Sequence, residues 1–183
     1  MKKIIFIIMV VFVSVLFVGC ANKVPEYAPS TDNIVLLKSF TKDNKGIDVI
    51  NFTDSGRNES KVMCRLAYPV GIANGKTFAS YIEDAFKKEL VIAGLYNPKS
   101  NIKISANIDK VYGSTMLGNA YWEFTVTLKS SNGTKYTVKS KYSYESSFTA
   151  YSACSEMQRS FVPAVQKLIQ DIVKNPRFKD LIK

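Results

Sequence analysis

The sequence predicts an α+β fold in which a mostly antiparallel sheet is covered by two amphipathic helices. Three observations support this prediction. Apolar residues recur at helical spacing over 78–93, and again over 157–172. Between these two segments, apolar and polar residues alternate in the pattern of strands that are buried on one side. Because each of these elements has one apolar surface to bury, a two-layer sandwich is the economical arrangement.

The elements before the first long helix are short. We interpret the apolar run 34–40 as a first strand, and the segments 47–52 and 62–67 as two further strands. The composition of 54–58 indicates a turn between them, and the proline and glycines of 69–75 interrupt the chain again.

The first long helix is predicted to lie between Thr77 and Gly94. Thr77 has the side chain of an N-cap residue, and Gly94 is well placed to end the helix. The apolar stripe consists of Phe78, Ile82, Ala85, Phe86, Leu90 and Ala93. Charged residues fill the other side, so the stripe should face the sheet.

Three antiparallel strands are predicted after this helix. Apolar and polar residues alternate over 102–108, over 122–128 and over 135–144. A loop over 113–118 should join the first two strands. The Asn-Gly dipeptide at 132–133 should form the second turn, because it accepts the positive φ angles that a tight hairpin requires.

The chain ends in a second long helix. Its apolar stripe consists of Met157, Phe161, Ala164, Val165, Leu168 and Ile172. Pro163 lacks an N–H group and crowds the carbonyl four residues earlier, so it should kink or split this helix. Pro176 should end it, and 178–182 should form a short apolar turn that packs back on the domain.

The N-terminus has the pattern of an export signal. Lys2 and Lys3 supply positive charge, and every residue from 4 to 18 is apolar except Ser14. This run is shorter than the ~20 residues of a membrane-spanning helix, but it suits the apolar part of a signal peptide. The alternative is an uncleaved membrane anchor.

The end of this apolar run, Phe17-Val18-Gly19-Cys20, resembles the lipobox of bacterial lipoproteins, although Phe17 stands where that family usually has leucine. The resemblance implies cleavage before Cys20 and a lipid on that cysteine, and two or more acyl chains anchor a protein stably. We therefore expect a lipoprotein signal peptide over 1–19, a lipidated tether over 20–33, and a single periplasmic α+β domain over 34–183.

The expected location follows from the same resemblance. Ala21 occupies the position where the signal for retention in the inner membrane would place aspartate. We therefore expect the protein in the cell envelope, anchored in the outer membrane and facing the periplasm rather than the cell surface.

The chain is basic, with a formal net charge of +10 that falls to +8 without the two lysines of the leader. Such a charge favours nucleic acid inside a cell, but export argues against that partner. Anionic lipid, lipopolysaccharide or a wall polymer is the corresponding partner outside. Lys135, Lys139 and Lys141 share one side of a predicted strand and form a candidate face for an anionic ligand. The alternative is that they only keep one face of the sheet hydrated.

Cys64 and Cys154 remain as an even pair if Cys20 carries lipid. In an oxidising compartment we expect them to form a disulfide. The alternative is two buried free thiols. We expect no metal and no cofactor, because two thiols and no histidine cannot complete a tetrahedral zinc site.

No catalytic arrangement is evident. The sequence contains no histidine, which excludes a Ser-His-Asp mechanism. The adjacent acids Glu83 and Asp84 have Lys87 and Lys88 one helical turn away as ion-pair partners, which indicates a hydrated helix face. Aromatic residues such as Trp122 and the strand tyrosines fit either a ligand groove or sheet packing, and strand aromatics usually serve packing.

Four short motifs occur within residues 60–183. They are Ala93-Gly94-Leu95-Tyr96, Met63-Cys64-Arg65, Ala153-Cys154 and Pro163-Ala164-Val165-Gln166. With them, this part of the sequence resembles small proteobacterial envelope lipoproteins of the YajG-like type and uncharacterised lipoproteins with a Met-Cys-Arg, Ala-Cys, Pro-Ala-Val-Gln pattern. The resemblance implies a two-layer fold of helices and strands, an envelope location and no enzyme activity.

We therefore expect a lipid-anchored, non-enzymatic interaction or accessory subunit whose partner is another envelope protein. A second hypothesis is a binding module that holds lipid, lipopolysaccharide or another amphiphile between the helices and the sheet. A third is a hydrolase with an unrecognised site.

Overall fold

The computed structural model describes residues 22–42, 46–66 and 68–183. The strands are β1 (Asn22–Lys23), β2 (Asp48–Thr53), β3 (Lys61–Cys64), β4 (Tyr68–Gly71), β5 (Lys103–Met116), β6 (Asn119–Ser130) and β7 (Lys135–Tyr144). The helices are α1 (Thr31–Lys38), α2 (Phe78–Ala93), α3 (Ala150–Arg159), α4 (Phe161–Lys174) and α5 (Phe178–Leu181). The predicted α+β class is confirmed.

The main sheet has four strands in the order β2-β5-β6-β7. Strands β5, β6 and β7 are antiparallel neighbours, whereas β2 lies parallel to β5 at one edge. At the β6–β7 turn only Gly133 has a positive φ, of 92°. This arrangement suits a three-residue hairpin loop that ends in a left-handed glycine.

Strands β5 and β6 continue through the segment 113–118 that the sequence predicts as a loop. They pair as far as Met116 and Asn119, which leaves only Leu117 and Gly118 in the turn. Gly113 lies inside β5 for a packing reason. A Cβ at this position would lie 2.1 Å from Cε of Met157. The glycine therefore allows α3 to approach the sheet closely. It does not mark a loop.

The apolar run 34–40 was predicted as a strand, and most of it lies in helix α1 instead. The helix starts at a capping residue, because the Ser30 hydroxyl accepts a hydrogen bond from the backbone N–H of Asn33. Asp32 in the first turn suits the positive end of the helix dipole. A short apolar run does not distinguish strand from helix, and here the capping signal decides.

Residues 22–30 pack against the domain, which differs from the tether predicted over 20–33. Strand β1 pairs with β4, and the side chains of Val24 and Tyr27 are buried. The Tyr81 hydroxyl donates a hydrogen bond to the backbone carbonyl of Pro25 at 2.8 Å. Pro25 and Pro29 are typical of a tether, but Val24 and Tyr27 in the same segment bury their side chains against the domain.

A second sheet contains β1, β4 and β3, in that order. Strand β3 ends at Cys64, earlier than predicted, and β4 includes Pro69 and Gly71, which were predicted to interrupt the chain. Pro69 is tolerated because β1 pairs with β4 only from Val70 onwards. The missing N–H of Pro69 therefore costs no hydrogen bond on that side.

Helices α2 and α4 cover one face of the main sheet, as predicted. The contact between the layers is made by fully buried side chains, among them Ile82, Phe86, Leu90, Ile104, Ile108, Phe124, Val126, Phe161, Leu168 and Ile172. The N-cap Thr77 and the left-handed Gly94, with φ of 74°, bound α2 where the sequence places them.

The predicted last helix is split into α3 and α4 at Ser160. Pro163 is the third residue of α4, where a backbone N–H has no partner within the helix. The proline therefore begins a new helix and does not kink a continuous one. Phe178 and Leu181 of α5 are buried, so the short terminal turn packs back as predicted.

Candidate functional site

The two cysteines that were predicted to pair form a disulfide, which joins the end of β3 to α3. The Cα atoms of Cys64 and Cys154 are 5.8 Å apart, and the two residues are 90 positions apart in sequence. This separation is normal for a disulfide, and both residues are buried. The bridge fixes the middle of α3 against the small sheet.

Arg65 directly follows this disulfide and connects three loops. Its guanidinium group donates hydrogen bonds to the backbone carbonyls of Thr115 at 3.2 Å, Ser147 at 3.1 Å and Phe148 at 3.5 Å. The Ser146 hydroxyl also donates to the carbonyl of Thr115, at 2.9 Å. The β3–β4 turn, the end of the β5–β6 hairpin and the segment that leads into the first turn of α3 therefore meet. We call these three segments (65–66, 115–118 and 146–151) the loop end.

The loop end carries strongly exposed apolar side chains. Within the described ranges, the four most exposed large apolar residues are Leu66 (94% exposed), Phe148 (83%), Tyr151 (76%) and Met116 (66%), and all four belong to it. Leu117 is half exposed at the same turn. Single apolar residues are common on protein surfaces, but a concentration of them at one end marks a surface for interaction.

The three lysines of the candidate anionic-ligand face lie on the open side of the main sheet. Lys135, Lys139 and Lys141 alternate along β7 with buried residues, so they point away from the helices. The ammonium of Lys141 lies 3.9 Å from the centre of the Tyr121 ring. Exposed lysines both hydrate a sheet face and attract anions, so this placement suits both interpretations of the row.

A small cleft lies between residues 24–27, the loop 72–76 and α2. Its volume is about 230 Å³, which is below the range of roughly 300–1,000 Å³ that ligand pockets occupy. The wall combines apolar side chains with charged ones such as Lys76 and Asp84, which are paired at 2.7 Å. This cleft is not between the helices and the sheet, where the amphiphile hypothesis places its ligand.

Glu89 is a buried acid that is not among the site residues predicted from the sequence. Its Oε1 accepts hydrogen bonds from the backbone N–H of Ser30 at 3.0 Å, from Nδ2 of Asn33 at 3.3 Å and from the hydroxyl of Tyr27. Its Oε2 has no hydrogen-bond partner among the described residues. Burial raises the pKa of Glu89, although the three donors act in the opposite direction.

The role of Glu89 in the structure is to join α2 to the N-terminal segment and to α1. Burial and the neighbouring carboxylate also raise the pKa of the Tyr27 hydroxyl, so it stays protonated and acts as a donor. A signal for this site was present in the sequence. Glu89 lies four residues after Ala85 and four before Ala93, on the stripe that the helical pattern predicts to be buried.

The predicted lipidation site Cys20 and the signal peptide over 1–19 lie outside the described residues. In the described ranges, no group of histidine, cysteine, aspartate and glutamate side chains is arranged to hold a metal ion. No helix in the described part of the chain combines the length and the apolar character needed to cross a membrane.

The sequence matches no protein-family model, and no curated protein matches it. Among solved structures, the chain is similar to a candidate lipoprotein from Caulobacter crescentus CB15, with 13% sequence identity. The TM-score is 0.42, and the similarity covers 82% of this chain and 93% of that chain. At this TM-score the similarity is too weak to transfer a function.

Proposed function

We propose that this chain is a lipid-anchored protein of the bacterial cell envelope that acts as a non-enzymatic interaction or accessory subunit. The observation that carries the proposal is the disulfide between Cys64 and Cys154. These are the two cysteines that remain when Cys20 is assigned to lipid. Disulfides persist in oxidising compartments outside the cytoplasm, so the pairing agrees with the export pattern of the first 20 residues.

The charged groups support a role without catalysis. Several acids are engaged in ion pairs, such as Glu83 with Lys87 at 2.6 Å and Asp84 with Lys76 at 2.7 Å. The buried carboxylate of Glu89 is hydrogen-bonded to its own fold. The whole sequence has no histidine, which is the commonest general base.

The proposed location is the outer membrane, facing the periplasm, and the proposed partner is another envelope protein rather than nucleic acid. The amphiphile-binding alternative has less support, because the described cleft is small and lies outside the interface between helices and sheet.

Metabolic labelling with a fatty-acid analogue in a bacterial host tests this proposal. Wild-type chain should incorporate the label, lose residues 1–19 and sediment with the envelope. Cys20→Ser should incorporate no label and accumulate as precursor. The double variant Cys64→Ser/Cys154→Ser is the matched control, since it removes the other two cysteines and should still be labelled. Label on Cys20→Ser would contradict the proposal.

A further inference from the structure

We propose that the loop end is a membrane-facing surface whose exposed apolar side chains enter the bilayer that holds the N-terminal anchor. This inference rests on the proposed function for the anchor itself. It adds which face of the domain lies against the lipid and which residues make the contact.

The direction of β1 determines where the chain leaves the domain. Strand β1 runs parallel to β4, with Asn22 beside Val70 and Lys23 beside Gly71. The chain therefore reaches Asn22 from the end of β4 at which Tyr68 lies. Tyr68 pairs with Cys64 across the β3–β4 hairpin, so this is the end that carries the turn with Arg65 and Leu66. Asn22, the described residue that follows the predicted anchor, therefore enters the domain from the side of the loop end.

The distance between the anchor and the domain is short. Cys20 is two residues before Asn22, and an extended chain spans at most about 3.5 Å per residue. The lipid-bearing residue must therefore lie within about 7 Å of Asn22, whatever the conformation between them. Because residues 22–30 pack against the domain, no long tether separates the loop end from the membrane surface.

The chemistry of the loop end suits the interface of a bilayer. Leu66, Met116, Leu117 and Phe148 supply apolar side chains, and Tyr151 supplies an aromatic ring of the kind enriched at membrane interfaces. Backbone carbonyls lose hydrogen bonds to water when they approach lipid, so they need partners within the protein. The Arg65 guanidinium provides such partners for three carbonyls of these loops.

The backbone of the β3–β4 turn is held in an unfavourable conformation. Arg65 and Leu66 both have positive φ, of 49° and 61°. This region is costly for residues with a side chain, and such strain persists only where the surroundings impose it. The disulfide at Cys64 and the hydrogen bonds of Arg65 impose it here. These constraints place Leu66 at the surface, where its side chain is 94% exposed.

We favour the membrane over a protein as the partner of the loop end, because the proposed anchor already brings this surface to lipid. An additional contact also fits the energetics of anchoring. Membrane binding strengthens with the apolar area buried at the interface, so these side chains add to the anchoring by lipid.

The test uses full-length lipidated protein, reconstituted in vesicles of phosphatidylethanolamine and phosphatidylglycerol. A polarity-sensitive fluorophore is attached to Met116→Cys, and in a matched control to Val35→Cys. The two positions are equally exposed, at 66% and 64%. Val35 lies in α1, and the following Phe40 packs on Phe178 near the β6–β7 turn, at the opposite end of the sheet. Brominated lipid should quench the probe at 116 and leave the probe at 35 unaffected.

A second measurement uses variants without a probe. Leu66→Ser/Met116→Ser/Leu117→Ser/Phe148→Ser should transfer between vesicles faster than wild type by on the order of tenfold or more, because it loses the additional apolar contact. The control Val35→Ser/Val91→Ser/Ile92→Ser replaces exposed apolar residues elsewhere and should transfer at the wild-type rate.

The outcomes separate this inference from the proposed function. A purified chain without lipid by mass spectrometry overturns both. A lipidated, vesicle-bound chain whose probe at 116 remains in water overturns this inference alone. If that probe is shielded only in native membranes that contain other proteins, the loop end binds a protein and the inference is also wrong.

Discussion

The hydroxyl of Tyr27 donates a hydrogen bond to the carboxylate of Glu89, and the two residues are 62 positions apart. Tyr27 lies in the segment that follows β1, and Glu89 lies on the buried side of α2. The backbone of Ser30 and the amide of Asn33 donate to the same oxygen. One buried carboxylate therefore fixes the N-terminal segment and α1 to the body of the domain.

Removal of this carboxylate should destabilise the fold. Glu89→Ala leaves the buried hydroxyl of Tyr27 and the part-buried N–H of Ser30 without their acceptor, and each unsatisfied buried group costs about 1–3 kcal/mol. We expect a total loss of about 3 kcal/mol in the free energy of unfolding, measured by urea denaturation. Asp84→Ala is the control, since this side chain is 55% exposed and pairs only with the exposed Lys76, so it should cost under about 1 kcal/mol. Equal effects of the two variants would contradict this role of Glu89.

Glu89 should also make the free energy of unfolding of the wild type decrease as pH rises. Burial raises the pKa of Glu89, so the folded chain holds this proton more tightly than the unfolded chain. The free energy of unfolding therefore decreases from the ordinary pKa of glutamate upwards, through the raised pKa of the folded state. Glu89→Gln cannot ionise and should lose this part of the pH dependence. Identical pH profiles of the two proteins in urea denaturation would contradict the prediction.

The disulfide should contribute strongly to stability. It closes a separation of 90 positions, and a loop of that size stabilises by about 4–5 kcal/mol as an upper value. Cys64→Ser/Cys154→Ser should therefore lower the unfolding midpoint, and dithiothreitol should lower it in the wild type but not in the variant. A maleimide that labels both residues in the unfolded, unreduced protein would contradict the pairing.

The central contact between α2 and the sheet depends on Phe86, which is fully buried. Its ring centre lies 6.2 Å from that of Phe52 in β2. Phe86→Ala should cost about 3–5 kcal/mol in unfolding free energy, because it removes buried apolar area and leaves a cavity. Val91→Ala on the same helix is the control, since Val91 is 57% exposed and should change stability by under about 0.5 kcal/mol.

Much of the fold could be predicted because long amphipathic patterns are informative. The stripe that contains Phe86 specifies both the helix and its buried face, and a capping threonine and a terminal glycine mark its ends. The short apolar run in 34–40 was ambiguous by the same criterion, since it covers too few residues to show a period. The packing of residues 22–30 was missed because it depends on a surface formed by distant parts of the chain.

The loop end was harder to predict than the disulfide beneath it. The pairing of Cys64 with Cys154 followed from counting cysteines, whereas the exposure of Leu66 and Phe148 depends on tertiary structure. A partial signal existed, because Phe148 is an apolar residue within a segment rich in serine and threonine. Apolar residues in predicted loops have no core to enter and therefore mark candidate contact surfaces.

Gly113 should tolerate no side chain, because β5 and α3 approach closely at this position. A Cβ there would lie 2.1 Å from Cε of Met157 and 3.1 Å from Cζ3 of Trp122. Gly113→Ala should therefore cost about 1–3 kcal/mol through overpacking, as measured by urea denaturation. Combining it with Met157→Ala tests the cause, since removal of the methionine opens the space that the new methyl group needs. The double variant should lose less stability than the two single losses added together, and strict additivity would show that Met157 is not the obstacle.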